Sequence, residues 1–345
     1  MLSREIYLKP IKKLKKKLNS TKNTNYIAWA KIICLVNLIC RYEKISIKKK
    51  LKKHPFFIVK TFIEDTEKMF DALADIQFIE GKNDLNLKKI TNKELLHENL
   101  FNVIWNKYNH SEFRKYINRY KHRIKINKLK IKGKKIIDFG CGNGMFCFAL
   151  FEMGAEEVYG IDFGEDSIKF AKKFAKKYYK SNKIKFLRKT VYKTNLKKDY
   201  FDFAIQNGVF HHLKNEDKAI KEISRVLKAR GKLWYYTAGK NDIANSLLDL
   251  ARETTLNIPY NFKYKVFSSL NMGTNKKVHL MDGFTAVYKR ETFKNLTKKL
   301  AKHKFKNFSL LRGGYNTDKD QDMILNYDYG KEKFGEGDLR IFCEK

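Results

Sequence analysis

Residues 136–144, with the sequence IIDFGCGNG, place an acid and three glycines where a strand-like apolar run turns into a helix-like one. Gly140, Gly142 and Gly144 lack Cβ atoms, so backbone N–H groups and the start of the next helix can approach a ligand closely. Asp138 stands just before them, where a carboxylate can organise the loop backbone and act on the polar, charged part of a ligand. The spacing therefore predicts a ligand-binding loop between a strand and a helix.

A second acid, Asp162, ends the run EVYGID about 20 residues beyond the glycines. At that distance an acid accepts hydrogen bonds from both hydroxyls of a ribose, so the two acids together indicate a nucleoside ligand. Dinucleotide-binding loops share these features, but they need a glycine for helix packing where this chain has Met145. The glycine lies one residue earlier, at Gly144, which disfavours a dinucleotide.

The pattern beyond residue 136 alternates between short apolar runs and amphipathic segments, which is typical of β-α units and a parallel sheet. Strands are predicted at 134–139, 157–162, 184–191, 201–205, 232–238, 308–312 and 339–345. Helices are predicted at 145–153, 167–180, 219–227 with Gly231 capping the end, 242–256 and 291–304. The predicted fold class is α/β, a Rossmann-like, mostly parallel sheet of seven strands with helices on both faces.

Two segments extend this domain. Residues 1–90 are predicted to form a basic, helical N-terminal extension before a domain at 91–345. Residues 241–289 interrupt the alternation, and we expect a helix followed by an irregular aromatic stretch. Long excursions of this kind are usually lids or substrate walls, so the segment is interpreted as a lid insertion.

Four motifs, in order, resemble the class I methyltransferases, which have a seven-stranded Rossmann-like fold. IIDFGCGNG is similar to the family's cofactor loop, and its D-x-G-x-G-x-G spacing suits that family. VYGIDF is similar to the ribose strand, FDFAIQNGVFHHL to the fourth strand and EISRVLKARGKLWYY to the helix, turn and fifth strand. The resemblance runs from about Asn99 to Lys345 and is nearest to small-molecule members.

The resemblance implies S-adenosylmethionine as cofactor, with its methionine part on the glycine loop, its ribose on Asp162 and its adenine on Phe163. Thr190 and Val191 would flank the adenine edge, although the family often has an acid where Thr190 stands, so backbone groups would contact the adenine amine. The cofactor-binding residues implied are Asp138, Gly140, Cys141, Gly142, Gly144, Asp162, Phe163, Thr190, Val191, Gln206 and Asn207.

Methyl transfer is a displacement that mainly requires alignment of two reactants, and an acidic acceptor would also need a base. The catalytic candidates are His211, His212 and Asn207, after the fourth strand. We expect the histidines mainly to pack beneath the cofactor, as one does in many members of the resembled family, with a base role as the alternative. Candidate substrate residues lie in the predicted lid region: Tyr260, His279, Asp282 and Tyr288.

The acceptor class is narrowed by what the sequence lacks. Members of the family that methylate base amines have an Asp/Asn-Pro-Pro-aromatic box after the fourth strand, but this chain has QNGVF there and only three prolines. A small-molecule or lipid-linked acceptor is therefore predicted, with the methylated atom left open. The alternatives are an RNA or protein methyltransferase recruited by the basic N-terminal helices, and a cofactor-binding module without turnover.

The net charge of the chain bears on its binding partners, and its cysteines bear on the cell compartment. A net charge of +37 is compatible with RNA or anionic lipid, and the lysine-rich segments 11–18 and 47–54 could contact either. Compositional drift and helices docked on their own protein are the favoured explanations. Five cysteines without a C-x-x-C pair indicate no disulfide framework and no zinc or other metal site, so a cytoplasmic protein is predicted, with peripheral membrane attachment as an alternative.

Overall fold

The computed structural model describes residues 2–75, 110–315 and 317–345. These fall into two compact units, each built from separated stretches of chain. The described parts of the sheet unit are 110–240, 287–315, 317–322 and 336–345, and those of the helical unit are 2–75, 241–286 and 323–335. The predicted helical segment 76–90 and the start of the resemblance near Asn99 lie outside the described residues.

Seven strands form a single sheet in the order β3-β2-β1-β4-β5-β7-β6. β7 runs antiparallel to β5 and β6, and the other pairings are parallel. The strands are β1 Lys135–Phe139, β2 Glu157–Asp162, β3 Ile184–Arg188, β4 Phe201–Asn207, β5 Leu227–Ala238, β6 Lys306–Leu310 and β7 Asp338–Glu344. The predicted α/β fold with seven strands is confirmed.

Helices account for most of the remaining described chain. They are α1 Glu5–Ser20, α2 Asn25–Ser46, α3 Pro55–Ala74, α4 His110–Ile126, α5 Met145–Glu152, α6 Glu165–Tyr178, α7 Glu216–Val226, α8 Ile243–Thr255, α9 Tyr260–Ser269, α10 Thr274–Gly283, α11 Phe293–Ala301, α12 Gln321–Asn326 and α13 Gly330–Phe334. Every helix predicted between 145 and 304 is found, with bounds shifted by a few residues.

Strand register divides the polar residues of the carboxyl edge between the two faces of the sheet. Asp138 of β1 is level with Ile205 of β4, and two residues further on Asn207 is level with Tyr236 and Arg340. Because alternate residues of a strand share a face, Asp138, Asn207, Tyr236 and Arg340 lie on one side, which we call the Asp138 face. The opposite face carries Phe139 and Tyr235 and packs against α7 and α11.

The lysine-rich helix α1 is docked within the helical unit. Ile11, Leu14 and Leu18 are buried, as their helical spacing predicts. The Lys17 ammonium lies 2.8 Å from a Glu67 carboxylate oxygen and 2.6 Å from one of Asp71, and Lys15 forms an ion pair with Glu253. The docked interpretation of segment 11–18 is therefore confirmed. Within the described residues, no helix is long and apolar enough to cross a membrane.

Segment 47–54 does not form the second basic helix that its sequence suggested. α2 ends at Ser46 and α3 begins at Pro55, with turns and bends between them. A helix there would place Lys48 over Lys52 and Lys49 over Lys53, and like charges four residues apart destabilise a helix. The same spacing is tolerated in α1, where Lys13 and Lys17 both pair with Glu67. Proline also disfavours helical backbone in the residue before it, and that residue is extended here.

Gly231 was predicted to cap a helix, and this prediction is wrong. α7 ends at Val226, and Gly231 lies inside β5, next to a register shift in the pairing with β4. A Cβ on Gly231 would stand 2.9 Å from the Lys228 carbonyl oxygen, so the glycine permits a close approach of the backbone within the irregular strand.

The stretch after α8 is also more regular than its sequence suggested, because α9 and α10 occupy much of it. Lys263 lies on the buried side of α9, at a position where an amphipathic helix usually has an apolar residue. This lysine interrupts the apolar periodicity from which the helix could have been predicted. Its ammonium donates to the carbonyl oxygens of Thr255 and Phe284, both at 3.2 Å. The domain bounds 1–90 and 91–345, with a lid at 241–289, remain a prediction.

Candidate functional site

The glycine loop is held by the backbone of β2 and by the acid at its end. The backbone N–H groups of Gly140 and Cys141 donate to the Ile161 carbonyl oxygen at 2.8 and 2.9 Å. The Asp162 carboxylate accepts from the N–H of Gly142 at 2.8 Å through one oxygen and from that of Gly164 at 2.8 Å through the other. Asp162, and not Asp138 as the sequence suggested, is therefore the acid that organises this loop backbone.

Each of the three loop glycines has a left-handed backbone, with φ of +77° at Gly140, +52° at Gly142 and +86° at Gly144. A side chain at Gly140 would place its Cβ 2.5 Å from Val209, and one at Gly144 would place it 2.7 Å from the Phe186 ring. At Gly140 and Gly144, glycine is therefore favoured both by the backbone conformation and by the lack of space for a side chain. At Gly142 the left-handed backbone alone favours glycine.

Asp138 is a buried acid with one unpartnered oxygen. Its side chain is 2% exposed, its Oδ2 accepts from the Cys147 thiol at 3.5 Å, and its Oδ1 has no hydrogen-bond partner. The pKa of Asp138 is raised to about 7, mainly by burial; the hydrogen bond from Cys147 lowers it, and the charge of Asp162 adds to the effect of burial. A cationic ligand group beside Oδ1 would supply the missing partner.

The residues predicted to hold ribose and adenine cluster at the ends of β2 and β3. Burial raises the pKa of Asp162, while the N–H groups of Gly164 and Gly142 oppose this by stabilising the carboxylate. The N–H of Phe163 also stabilises this carboxylate, and the acceptor capacity that remains on its oxygens is available to a ligand hydroxyl. The adjacent Phe163 ring is 55% exposed, which leaves an apolar surface for a base. Thr190 is exposed and Val191 is buried among core residues.

At the end of β4, Gln206 and Asn207 point to opposite faces of the sheet. Gln206 is fully buried on the side of Phe139, and its amide oxygen accepts from the backbone N–H groups of Gly208 at 2.8 Å and Val209 at 3.3 Å. It shapes the turn that packs on the glycine loop. Asn207 lies on the Asp138 face, which places it beside the expected cofactor position.

Tyr120 of α4 is a site residue that sequence reasoning missed. The Asn207 amide nitrogen donates to the Tyr120 hydroxyl at 3.3 Å, and the Asn207 amide oxygen accepts from the Trp234 indole at 3.3 Å. The Tyr120 ring stacks on Phe146 with centroids 4.3 Å apart and 9° between planes. α4 lies before the four motifs that resemble the family, so none of them includes Tyr120. The aromatic residues on one face of α4 are the signal that could have indicated a packed helix here.

The catalytic candidates His211 and His212 form a directional chain of hydrogen bonds. His212 Nδ1 lies 2.9 Å from the Val287 carbonyl oxygen, which can only accept, so this nitrogen carries a proton. If both imidazoles are neutral, His211 Nε2 must donate to His212 Nε2 at 3.1 Å. Thr237 Oγ1 then donates to His211 Nδ1, also at 3.1 Å. All four ring nitrogens are engaged, which suits the packing role better than a free base.

The four candidate substrate residues do not come together in one unit. Tyr288 belongs to the sheet unit and packs at a tilt against the histidine pair, with ring centroids 4.8 Å from His211 and 4.6 Å from His212. Tyr260, His279 and Asp282 belong to the helical unit. There His279 Nε2 lies 3.4 Å from a Glu43 carboxylate oxygen. Their substrate role remains a prediction.

Comparison with known families identifies the fold that carries this site. A model of the methyltransferase domain matches residues 130–307, just over half of the 345 residues. The chain belongs to the methyltransferase-domain family. The match includes the glycine loop, both acids, the end of β4 and the histidine pair, so the predicted family is confirmed.

Curated relatives resemble only the central part of the chain. A ubiquinone biosynthesis O-methyltransferase from Pelagibacter ubique is 34% identical over 119 residues, which is 34% of this chain and 48% of that protein. A Coxiella burnetii protein of the same name is 29% identical over 119 residues, or 33% and 47% of the two lengths. The chain thus spans about half the length of these relatives.

Among solved structures, an S-adenosylmethionine-dependent methyltransferase from Mesorhizobium loti has 16% sequence identity and a TM-score of 0.42 with this chain. The alignment covers 64% of this chain and 95% of that one. A likeness at this level says nothing about the acceptor.

Proposed function

We propose that the chain is an S-adenosylmethionine-dependent methyltransferase that transfers a methyl group to an oxygen of a small-molecule acceptor. One observation carries this proposal. In a chain of the methyltransferase-domain family, the Asp162 carboxylate, which stands where a ribose-binding acid is expected, also accepts a hydrogen bond from the backbone of the glycine loop. Oxygen as the acceptor atom is supported by the names of the two relatives.

The residues present fit this cofactor at three points. The unpartnered Asp138 oxygen suits the cationic methionine part, which carries an ammonium and a sulfonium group. The free lone pairs of Asp162 suit the ribose hydroxyls, and the exposed ring of Phe163 suits the adenine. The side chains of Gln206 and Val191 are buried, so we infer that they shape the walls of the site, and their contact with the cofactor remains a prediction.

Held by Asp138, the glycine loop and Asp162, S-adenosylmethionine would supply an electrophilic methyl group with a neutral thioether as its leaving group, and the acceptor's hydroxyl proton would pass to water or a base. The chain's own contribution is alignment, which can supply about 7–11 kcal/mol. We assign it to Asn207 and Tyr120, whose amide and phenol groups lie among the rings of Phe146 and Trp234. These rings exclude water around the reacting atoms.

Binding of the cofactor is tested by titration calorimetry with S-adenosylmethionine, S-adenosylhomocysteine and NAD. We expect the first two to bind and NAD not to bind. Asp162→Ala should weaken the binding by about 100-fold, because it removes the acceptor for the ribose hydroxyls and for two loop N–H groups. Asp166→Ala, an exposed change in the first turn of α6, is the control and should bind normally.

Turnover is tested by incubating the chain with cell extract and methyl-labelled S-adenosylmethionine. Label in the small-molecule fraction supports the proposal. Label confined to RNA or protein would identify the alternative acceptor classes, and cofactor binding without any label would indicate a binding module. Binding of NAD alone would contradict the cofactor as well as the reaction.

A further inference from the structure

Three arginines converge on one buried carboxylate in the sheet unit. Asp318 Oδ1 accepts from Arg123 at 2.6 Å, from Arg119 at 2.9 Å and from Arg340 at 3.1 Å. Arg340 also donates to Asp338 Oδ2 at 2.9 Å. Arg340 is 3% exposed, Arg123 is 7% exposed and Asp318 is 3% exposed, so most of this arginine cluster is shielded from water.

The arginine cluster has more positive charge and more donors than its carboxylates can satisfy. Three guanidinium groups face two carboxylates, which leaves one excess positive charge. Nε and Nη1 of Arg340 and Nε of Arg119 are buried without an acceptor. Against the effect of burial, Asp338, Tyr236 and Asp318 raise the pKa of Arg340, so its charge is compensated, but its buried N–H groups without an acceptor are costly.

Asp318 and Arg123 determine which chemistry a ligand of the arginine cluster must have. Asp318 Oδ2 is buried without a donor, so a ligand there can donate one hydrogen bond as well as accept several. The pKa of Arg123 is lowered by burial and by the charge of Arg340, while Asp318 opposes both effects. An anionic group with its own proton donor, such as a hydrogen phosphate or a carboxylate next to a hydroxyl, matches this set.

The arginine cluster lies on the Asp138 face, in register with the proposed site of methyl transfer. Arg340 is level with Tyr236 on the neighbouring strand, and Tyr236 is level with Asn207 on the next one. Strands are about 4.8 Å apart, so Arg340 begins about 10 Å from Asn207. On α4, Arg123 stands three residues after Tyr120, with its guanidinium 5.8 Å from the Tyr120 ring centroid.

We propose that the arginine cluster binds a carboxylate or phosphate group of the methyl acceptor, while the acceptor's hydroxyl lies near Asn207 and Tyr120. This inference rests on the proposed function and adds the charge of the acceptor to it. The Asp138 face then presents an acid toward the cationic cofactor and, three strands away, guanidinium groups toward an anionic substrate. The negative group is retained in the product because the methyl group goes to a different atom.

The test uses the full chain, cell extract and methyl-labelled S-adenosylmethionine, with the labelled products separated on an anion exchanger. We expect the wild-type product to be retained. Arg340→Gln should lower the rate of its formation at limiting extract by about 10-fold to 100-fold, since it removes a charged hydrogen-bonding group. Arg230→Gln, an exposed change at the opposite edge of the sheet, should leave the rate unchanged.

Binding of S-adenosylhomocysteine by Arg340→Gln serves as the folding control and should equal that of the wild type. If this variant does not fold, Arg119→Gln replaces it, because the Arg119 side chain is 28% exposed and its loss leaves the Arg340 ion pairs in place. A labelled wild-type product without negative charge would overturn this inference alone. The absence of any labelled product would contradict the proposed function and this inference together.

Discussion

Cofactor binding should be linked to deprotonation of Asp138. With a pKa of about 7 in the folded chain, this carboxyl is mostly neutral at pH 6 and mostly charged at pH 8. If the cationic part of S-adenosylmethionine binds the charged form, the charged fraction rises from about one tenth to about nine tenths over this range. The affinity should then increase about tenfold from pH 6 to pH 8, or about 1.4 kcal/mol.

The assay is titration calorimetry of the wild type and Asp138→Asn across pH 6 to 8. The amine of the ligand titrates equally in the experiments with the wild type and with Asp138→Asn. The ratio of the wild-type affinity to the variant affinity therefore reports the effect of Asp138 ionisation alone. We expect this ratio to rise about tenfold with pH, and an exposed control, Asp217→Asn, to follow the wild type. A ratio that is constant or falls with pH would refute the placement of the cation beside Asp138.

Three further outcomes are expected. Gly144→Ala should lower the free energy of unfolding in urea by about 2–4 kcal/mol, because it combines a left-handed backbone with a clash against Phe186, whereas Gly133→Ala, at φ +70° in open space, should cost only about 1–2 kcal/mol. Phe163→Ala should weaken S-adenosylmethionine binding by about 10-fold in calorimetry and leave the urea midpoint unchanged, since the ring is mostly exposed. Burial lowers the pKa of Lys263 from 10.5 to about 7 in the folded chain, so between these pH values the unfolded chain binds one proton more than the folded chain. The stability of the wild type should therefore rise with pH over that range. Lys263→Met should not show this rise in thermal melts.

The central sheet could be predicted from the sequence because its signals are local. A strand buried on both faces, such as β1, is a nearly continuous apolar run, and the glycines that follow it satisfy conformational needs within a few residues. Asp162 was recognised for the same reason, since its distance from the glycines is set by one β-α unit. Its hydrogen bonds to Gly142 and Gly164 were not foreseen.

The polar partners on the Asp138 face could not be predicted, because they come from distant parts of the chain. Tyr120 meets Asn207 across 87 positions, and Arg123 meets Asp318 across 195. Arginines and tyrosines are common in this sequence, and no spacing marks those that converge. Strand order decides which of them become neighbours, and β7 brings Arg340 beside β5 only because it is inserted there.

The helical segments show a different limit. α1 was recognised because its apolar residues repeat with helical spacing, and its burial followed. Segment 47–54 has a similar composition, but the proline at 55 disfavours helical backbone in the residue before it, which is extended. In α9 a buried lysine concealed a real helix, because its ammonium is satisfied by carbonyl groups that only the folded chain supplies.

The position of β6 has a consequence for self-association. Among the described strands β6 pairs with β7 alone, so it forms an outer edge of the sheet. A long hydrophobic edge strand would be a site for pairing with a second chain, but β6 is five residues long and has the polar sequence KNFSL. The weak apolar pattern of this strand thus disfavours aggregation through the sheet edge.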